Sequence, residues 1–133
     1  MEWKDDYSVN LDLIDADHRV LFSLMDKLNK AVRTGKARAL LPDMIKNLTE
    51  YVAYHFEHEA KIMAQYNYPL MDDHIREHDD ASEKIAYFSS VVRTAADENT
   101  AKDLLEFLFG WITIHIEDSD RRLASFIRAM QGR

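Results

Sequence analysis

The chain has 133 residues, 47% of them hydrophobic, with a net charge of −7 and a sequence pI near 5.3. That length suits one domain with one core. The acidic balance argues against nucleic acid and anionic membrane surfaces, which need clustered Lys and Arg, and the lack of cysteine excludes disulfides, thiolate metal sites, iron–sulfur clusters and cysteine nucleophiles.

Three glycines and two prolines are few for a β-rich or loop-rich fold, so the composition leans all-α. The N-terminal run Met1 to Asp6 is acidic and has no apolar signal core. The most apolar stretch, Leu104 to Ile116, is interrupted by Glu106 and His115 and is too short to span a bilayer. A soluble, cytoplasmic, monomeric protein is the expectation.

A short arm, residues 1–14, precedes four amphipathic segments. Trp3 and Tyr7 in the arm are expected to cover one end of the core. The first helix is predicted over about 16–34, with Asp15 as N-cap, Gly35 just past its end, and Leu21, Leu24, Leu28 and Val32 at helical spacing. The second is predicted over about 42–66, with Pro42 in its first turn and a stripe of Ile45, Leu48, Val52, His55, Glu59 and Ile62. After a turn at Asn67 and Tyr68, the third runs over about 70–94 with the stripe Met71, His74, His78, Ala81, Ile85, Phe88 and Val92. The fourth is predicted over about 100–130, with Thr100 as N-cap and Leu104, Leu108, Trp111, Ile112 and His115 on one side. Short connections make consecutive helices antiparallel neighbours, which predicts an up-down-up-down four-helix bundle.

Two of these stripes carry polar residues in line with the core. His55 and Glu59 are four apart, as are His74 and His78, so each pair shares a helix face. A buried polar group needs a partner, and a metal is one. In an up-down bundle the start of the first helix, the end of the second, the start of the third and the later part of the fourth lie at one end. His18, His55, Glu59, His74, His78, His115 and Asp120 therefore gather at one level. Steps of four residues differ in height by about 6 Å, which suits two metals roughly 3.5–4 Å apart. Five imidazoles and two carboxylates with no sulfur fit a pair of iron ions, whereas a zinc site would use only three or four of them.

His115 and Asp120 are five apart, about 140° on an ideal helix. Either the Asp120 side chain reaches round, or a π-bulge between Ile114 and Asp120 brings the two into line. Taken singly, each of the seven residues has an ordinary reading as a surface or satisfied core group. Their convergence is what points to a metal. His58 is off the stripe and reads as a surface residue. Asp72, Asp73 and Glu77 read as a solvated acidic face at a helix start, and Tyr66 and Tyr68 as turn packing.

The chain resembles the hemerythrin family, specifically its single-domain bacterial members, over nearly its whole length. The resemblance rests on Ile14-Asp15-Ala16-Asp17-His18, His55-Phe56-Glu57-His58-Glu59 with Met63, and Tyr66-Asn67-Tyr68-Pro69. It continues through His74-Ile75-Arg76-Glu77-His78 and Trp111-Ile112-Thr113-Ile114-His115-Ile116 followed by Asp120. It implies that His74, His78 and His115 ligate one iron and that His18 and His55 ligate a second, which keeps an open position. Glu59 and Asp120, with an oxo or hydroxo group, would bridge the two. Dioxygen would bind end-on at the open position, taking one electron from each iron. Phe56, Trp111, Ile112 and Ile116 match positions that wall the oxygen pocket. The chain departs from the family pattern at Ala60, where a second acid is common, at Ile112, where leucine is common, and at Asp17, where a longer polar residue is usual.

The function this implies is reversible dioxygen binding, as carrier, store or supplier to an oxygen-consuming enzyme. The alternatives are a di-iron enzyme such as a peroxidase or nitric oxide reductase, and an oxygen or redox sensor acting through a partner. No extra acid, base or basic patch stands near the ligand positions, which favours binding over catalysis. A ferritin-like oxidase is disfavoured, because such sites are dominated by glutamate.

Overall fold

A computed structural model describes residues 3–132. A 3₁₀ turn at Asp5–Tyr7 precedes α1 (Asp12–Arg33), α2 (Ala37–Gln65), α3 (Met71–Thr94) and α4 (Glu98–His115). A π-helical segment, Ile116–Asp120, then carries α4 without a break into α5 (Arg121–Gln131), so the last three elements form one long fourth helix. The helices pack α1 on α2, α2 on α3, α3 on α4 and α4 on α1, a four-helix bundle with no strand among the described residues. No helix among them is long and apolar enough to cross a membrane.

Each helix buries one stripe. Ile14, His18, Leu21, Met25 and Leu28 of α1 face Leu41, Ile45, Leu48, Val52, His55, Glu59 and Met63 of α2 across the core. His74, His78, Ala81, Ile85, Phe88 and Val92 of α3 and Leu104, Leu108, Ile112, His115 and Ile116 of the fourth helix complete it. The half of the bundle around Leu28, Ile45, Phe88 and Leu104 is apolar apart from Thr100 at the start of α4. Burying a side chain of that size contributes about 1.5–3 kcal/mol, and this half holds the four helices in register beneath the polar half.

The turns between helices are set by local chemistry. Gly35 lies just past α1 with φ 69°, and Lys36 N–H and Gly35 N–H donate back to Ala31 and Val32 carbonyls. This is a Schellman cap, which needs the left-handed conformation glycine adopts freely. Asn67, with φ 52°, closes α2 in the same way, Tyr68 N–H donating to Met63 and Asn67 N–H to Ala64.

Three helix starts differ from the sequence reading. α1 begins at Asp12, not near Ala16, and Asp15 lies within its first turn. Its buried carboxylate reaches back to the arm, accepting Val9 N–H at 2.9 Å and the Ser8 hydroxyl at 2.6 Å. α2 begins at Ala37, because Ala37 and Leu41 are both fully buried and extend the apolar stripe. Pro42 thus sits in the second turn, where a missing N–H costs one bond near the helix start. α4 is capped by Asp97 and not by Thr100. The Asp97 carboxylate accepts Thr100 N–H at 2.8 Å, the usual N-cap to N3 geometry.

The arm closes over the polar end. Tyr7 and Trp3 pack on Phe22 of α1, with ring centroids 4.7 and 5.7 Å away. Arg121 donates to the Ser8 and Asp6 carbonyls, and Arg128 to that of Val9.

Candidate metal centre

The polar end of the bundle brings together all seven residues expected there. His18 comes from α1, His55 and Glu59 from α2, His74 and His78 from α3, His115 from α4 and Asp120 from the π segment. Each is at most 4% exposed. The extra residue per turn at Ile116–Asp120 rotates Asp120 onto the face of His115, and His115 Nε2 lies 3.1 Å from Asp120 Oδ1. The local distortion inferred from the five-residue spacing is present, and its effect is to aim the carboxylate inward.

The two carboxylates divide their oxygens between two groups of histidines. Glu59 Oε1 lies 2.7 Å from His74 Nε2 and 3.2 Å from His78 Nε2, while its Oε2 lies 3.0 Å from His55 Nε2. Asp120 Oδ1 lies 3.1 Å from the Nε2 atoms of both His74 and His115, while its Oδ2 lies 2.9 Å from His18 Nε2. One group is therefore His74, His78 and His115, and the other is His18 and His55, with Glu59 and Asp120 common to both. In each group, with the shared carboxylates included, one donor atom per residue fits within 4.8 Å of every other.

These short distances are not an ordinary hydrogen-bond network. His18 Nδ1 and Nε2, Glu59 Oε2 and both Asp120 oxygens are buried with no hydrogen bond. His78 Nε2 and His115 Nε2 face each other at 3.1 Å, nitrogen towards nitrogen. Two carboxylates at 0% exposure cannot stay ionised without positive charge beside them. Donor atoms converging on common points, rather than on each other's hydrogens, fit a pair of cations.

In the metal-free molecule, protons meet part of that demand. Burial pushes the His55 imidazole down, but the charge of the nearby Glu59 carboxylate and the hydrogen bond to Asp17 outweigh it and raise it to about 10. Burial likewise opposes charge on His74, and its contacts with Asp120 and Glu59 raise it to about 9. Burial would raise the two carboxyls, yet His55 holds Glu59 and His115 holds Asp120 well below the carboxylate range. His78 moves the other way, its burial favouring the neutral ring.

The expected wall residues surround the centre. Phe56 stacks on His78 with centroids 3.8 Å apart and planes 4° from parallel, and Trp111 stacks on His115 at 4.4 Å and 15°. Ile112 and Ile116 are buried and line a narrow cavity beside His18 and His55. Leu21, Val52, Ala81, Ile85, Phe107 and Leu108 carry that cavity towards the apolar half of the bundle, and of these Leu21, Val52, Ala81 and Ile85 were expected only as core.

Comparison with known proteins agrees with this arrangement. The family profile described as "Hemerythrin HHE cation binding domain" matches residues 9–127. The chain belongs to the hemerythrin family. Hemerythrins are oxygen-binding proteins with a non-haem di-iron site. A bacteriohemerythrin of Clostridium acetobutylicum is 30% identical over 90% of this chain and 95% of its own length. One of Stenotrophomonas maltophilia is 28% identical over 96% and 81%. In fold, the crystal structure of wild-type hemerythrin superimposes with a TM-score of 0.83 at 23% identity, covering 96% of this chain and 97% of that one.

Three residues around the centre have larger roles than their sequence positions suggested. His58, expected on the surface, is partly buried and its Nδ1 lies 2.8 Å from Asp17 Oδ2. Glu77, expected in a solvated face, accepts the Ser119 hydroxyl at 2.6 Å and lies 3.2 Å from His115 Nδ1. Burial would push Glu77 up, but Ser119 and His115 keep it below the usual carboxylate range. Tyr68 is more than turn packing, since its buried ring meets the edge of His74 at 6.4 Å. Position along the helix hinted at Glu77, which falls one residue before His78 and three after His74. Its reach to His115 depends on how α3 packs against α4.

Proposed function

We propose that this chain holds two iron ions at the polar end of the bundle and binds dioxygen reversibly there. The observation that carries this reading is the division of the Glu59 and Asp120 oxygens, one to each histidine group. His74, His78 and His115 would hold one ion and His18 and His55 the other, with Glu59 and Asp120 offering one oxygen to each. When bound, such an iron pair supplies two electrons to dioxygen and recovers them on release.

The rest is the work of the chain's own residues. The His18 and His55 group has one nitrogen fewer than its neighbour, and it opens on the cavity lined by Ile112 and Ile116. Apolar walls on that side admit a small apolar gas while excluding the water and protons that would displace it. Phe56 and Trp111 hold the His78 and His115 rings from behind, and Tyr68 bears on His74, so the donors keep their directions as charge changes. The polar residues lining the cavity are His18, His55, His115 and Asp120, all members of the centre itself. With no further acid or base among the lining residues, the pocket suits binding better than peroxidase or nitric oxide reductase chemistry.

The test is the optical spectrum of anaerobically reduced, iron-loaded protein before and after oxygen is admitted. A visible charge-transfer band that appears with oxygen and fades when oxygen is removed supports the reading. A band that decays at once without returning oxygen refutes reversible binding. Metal analysis giving fewer than two irons per chain refutes the ligand assignment.

A further inference from the structure

Resting on that two-metal reading, we infer that Asp17 is a positioning residue for the His18 and His55 half of the centre. Its buried carboxylate fixes the His55 ring and places a negative charge directly behind it. Asp17 precedes His18 on α1 and is turned about 100° from it, towards α2. Its Oδ2 lies 2.9 Å from His55 Nδ1 and 2.8 Å from His58 Nδ1, and its Oδ1 accepts the Tyr51 hydroxyl at 3.2 Å. The side chain is 6% exposed.

Hydrogen accounting fixes the direction of each bond. An ionised carboxylate only accepts, so His55 and His58 both carry hydrogen on Nδ1. With its hydrogen on Nδ1, His55 leaves the Nε2 lone pair free, and Nε2 is the atom that faces Glu59 Oε2 at 3.0 Å. Asp17 thus selects the tautomer in which His55 can ligate. Three donors on one buried carboxylate make the arrangement rigid. Burial pushes the Asp17 carboxyl up, but the bonds from His55 and His58 and their charges hold it below the usual range. Burial and the Asp17 charge push Tyr51 up to about 12, so its hydroxyl stays a donor. His58 closes the network at the surface, its ring tilted against that of Tyr54 with centroids 4.1 Å apart.

The other half of the centre has a weaker counterpart. Glu77 stands behind His115 at 3.2 Å, but its side chain is 41% exposed and water screens it. The half with fewer nitrogens therefore has the less screened supporting charge.

Asp17→Asn separates charge from shape. The asparagine carbonyl can accept from both histidines where Oδ2 now does, and its amide can donate to the Tyr51 oxygen. The full-length wild-type and variant proteins would be titrated with Zn²⁺ against a chromophoric chelator. Long-range ¹H–¹⁵N spectra of the Zn²⁺-loaded forms would report the His55 ring nitrogens. The expected result is two Zn²⁺ per wild-type chain and, in the variant, one site weakened by about 10–100-fold with the other unchanged. The His55 Nδ1–H resonance, far downfield in the wild type, moves upfield. Glu77→Gln weakens the opposite site, and by less.

Two tight sites and an unmoved resonance in Asp17→Asn overturn the inference and leave the two-metal reading standing. Equal weakening of both sites also overturns it, since that is a general loosening of the bundle. Fewer than two Zn²⁺ in the wild type overturns both. Should circular dichroism show Asp17→Asn unfolded, His58→Phe takes its place. That change removes one donor but keeps the charge, so the expected weakening is smaller and confined to the same site. No change there refutes the inference.

Discussion

Loading this centre with metal should expel protons, and the structure says from where. In the metal-free protein His55 is raised to about 10 and His74 to about 9, against an ordinary 6.5. Both are therefore charged at pH 7, and both must lose a proton before Nε2 can ligate. Metal uptake at pH 7 should release about two protons per chain from these two residues. The apparent overall constant for binding both metals should accordingly rise about 100-fold per pH unit between pH 7 and 8.5, one decade for each proton displaced and so about tenfold at each site. The same two histidines set the stability of the metal-free fold. A histidine raised on folding stabilises fully below its unfolded value of 6.5, and that contribution fades as pH climbs towards 9–10. Every tenfold gain in proton affinity on folding is worth about 1.4 kcal/mol, so the metal-free protein loses several kcal/mol between pH 7 and 10. Glu59 and Asp120, lowered on folding, act with the opposite sign and withdraw their stabilisation as pH falls below the usual carboxylate range. The assay is Zn²⁺ addition in weakly buffered solution with a pH indicator, paired with thermal unfolding of the metal-free protein from pH 6 to 10. Uptake of two metals at pH 7 with no proton release would refute the charge assignment. So would a melting temperature of the metal-free protein that rises steadily over that range.

Two further outcomes follow from named contacts. Phe56→Ala removes the ring stacked 3.8 Å from His78 and opens that flank of the centre to water. The oxygenated form should then decay several-fold faster, as followed by the loss of its visible band, while two irons still bind. Asp15→Ala leaves the buried Val9 N–H without its 2.9 Å partner, a loss of about 1–3 kcal/mol. Thermal unfolding should show a midpoint lower by several degrees with metal stoichiometry unchanged.

Much of this molecule was legible in the chain because helices repeat with a fixed period. The stripes of His55 with Glu59 and of His74 with His78 follow from a four-residue step returning to the same face. The π segment at Ile116–Asp120 was legible as one of two ways to bring Asp120 round to His115 across a five-residue step, the other being a side chain that reaches round, and the structure takes the widened turn. Gly35 could be placed because a left-handed residue after a helix is a local requirement. Helix starts were less legible. Ala37 is helical where it is buried against the core, and Asp97 caps α4 by accepting the N–H of Thr100, the other candidate cap.

What only tertiary structure decided is the set of contacts between helices. Spacing places Asp17 beside His18 but does not say that α1 is rotated to bring its carboxylate 2.9 Å from His55 and 2.8 Å from His58 on α2. Nor does it say that Glu77 meets His115 across α3 and α4, or that each bridging carboxylate sends one oxygen to each histidine group. Periodicity within a helix is a property of the backbone and can be read along the chain. The rotation and separation of one helix against another come from how all four stripes pack at once, and the fine geometry of the metal centre is set there.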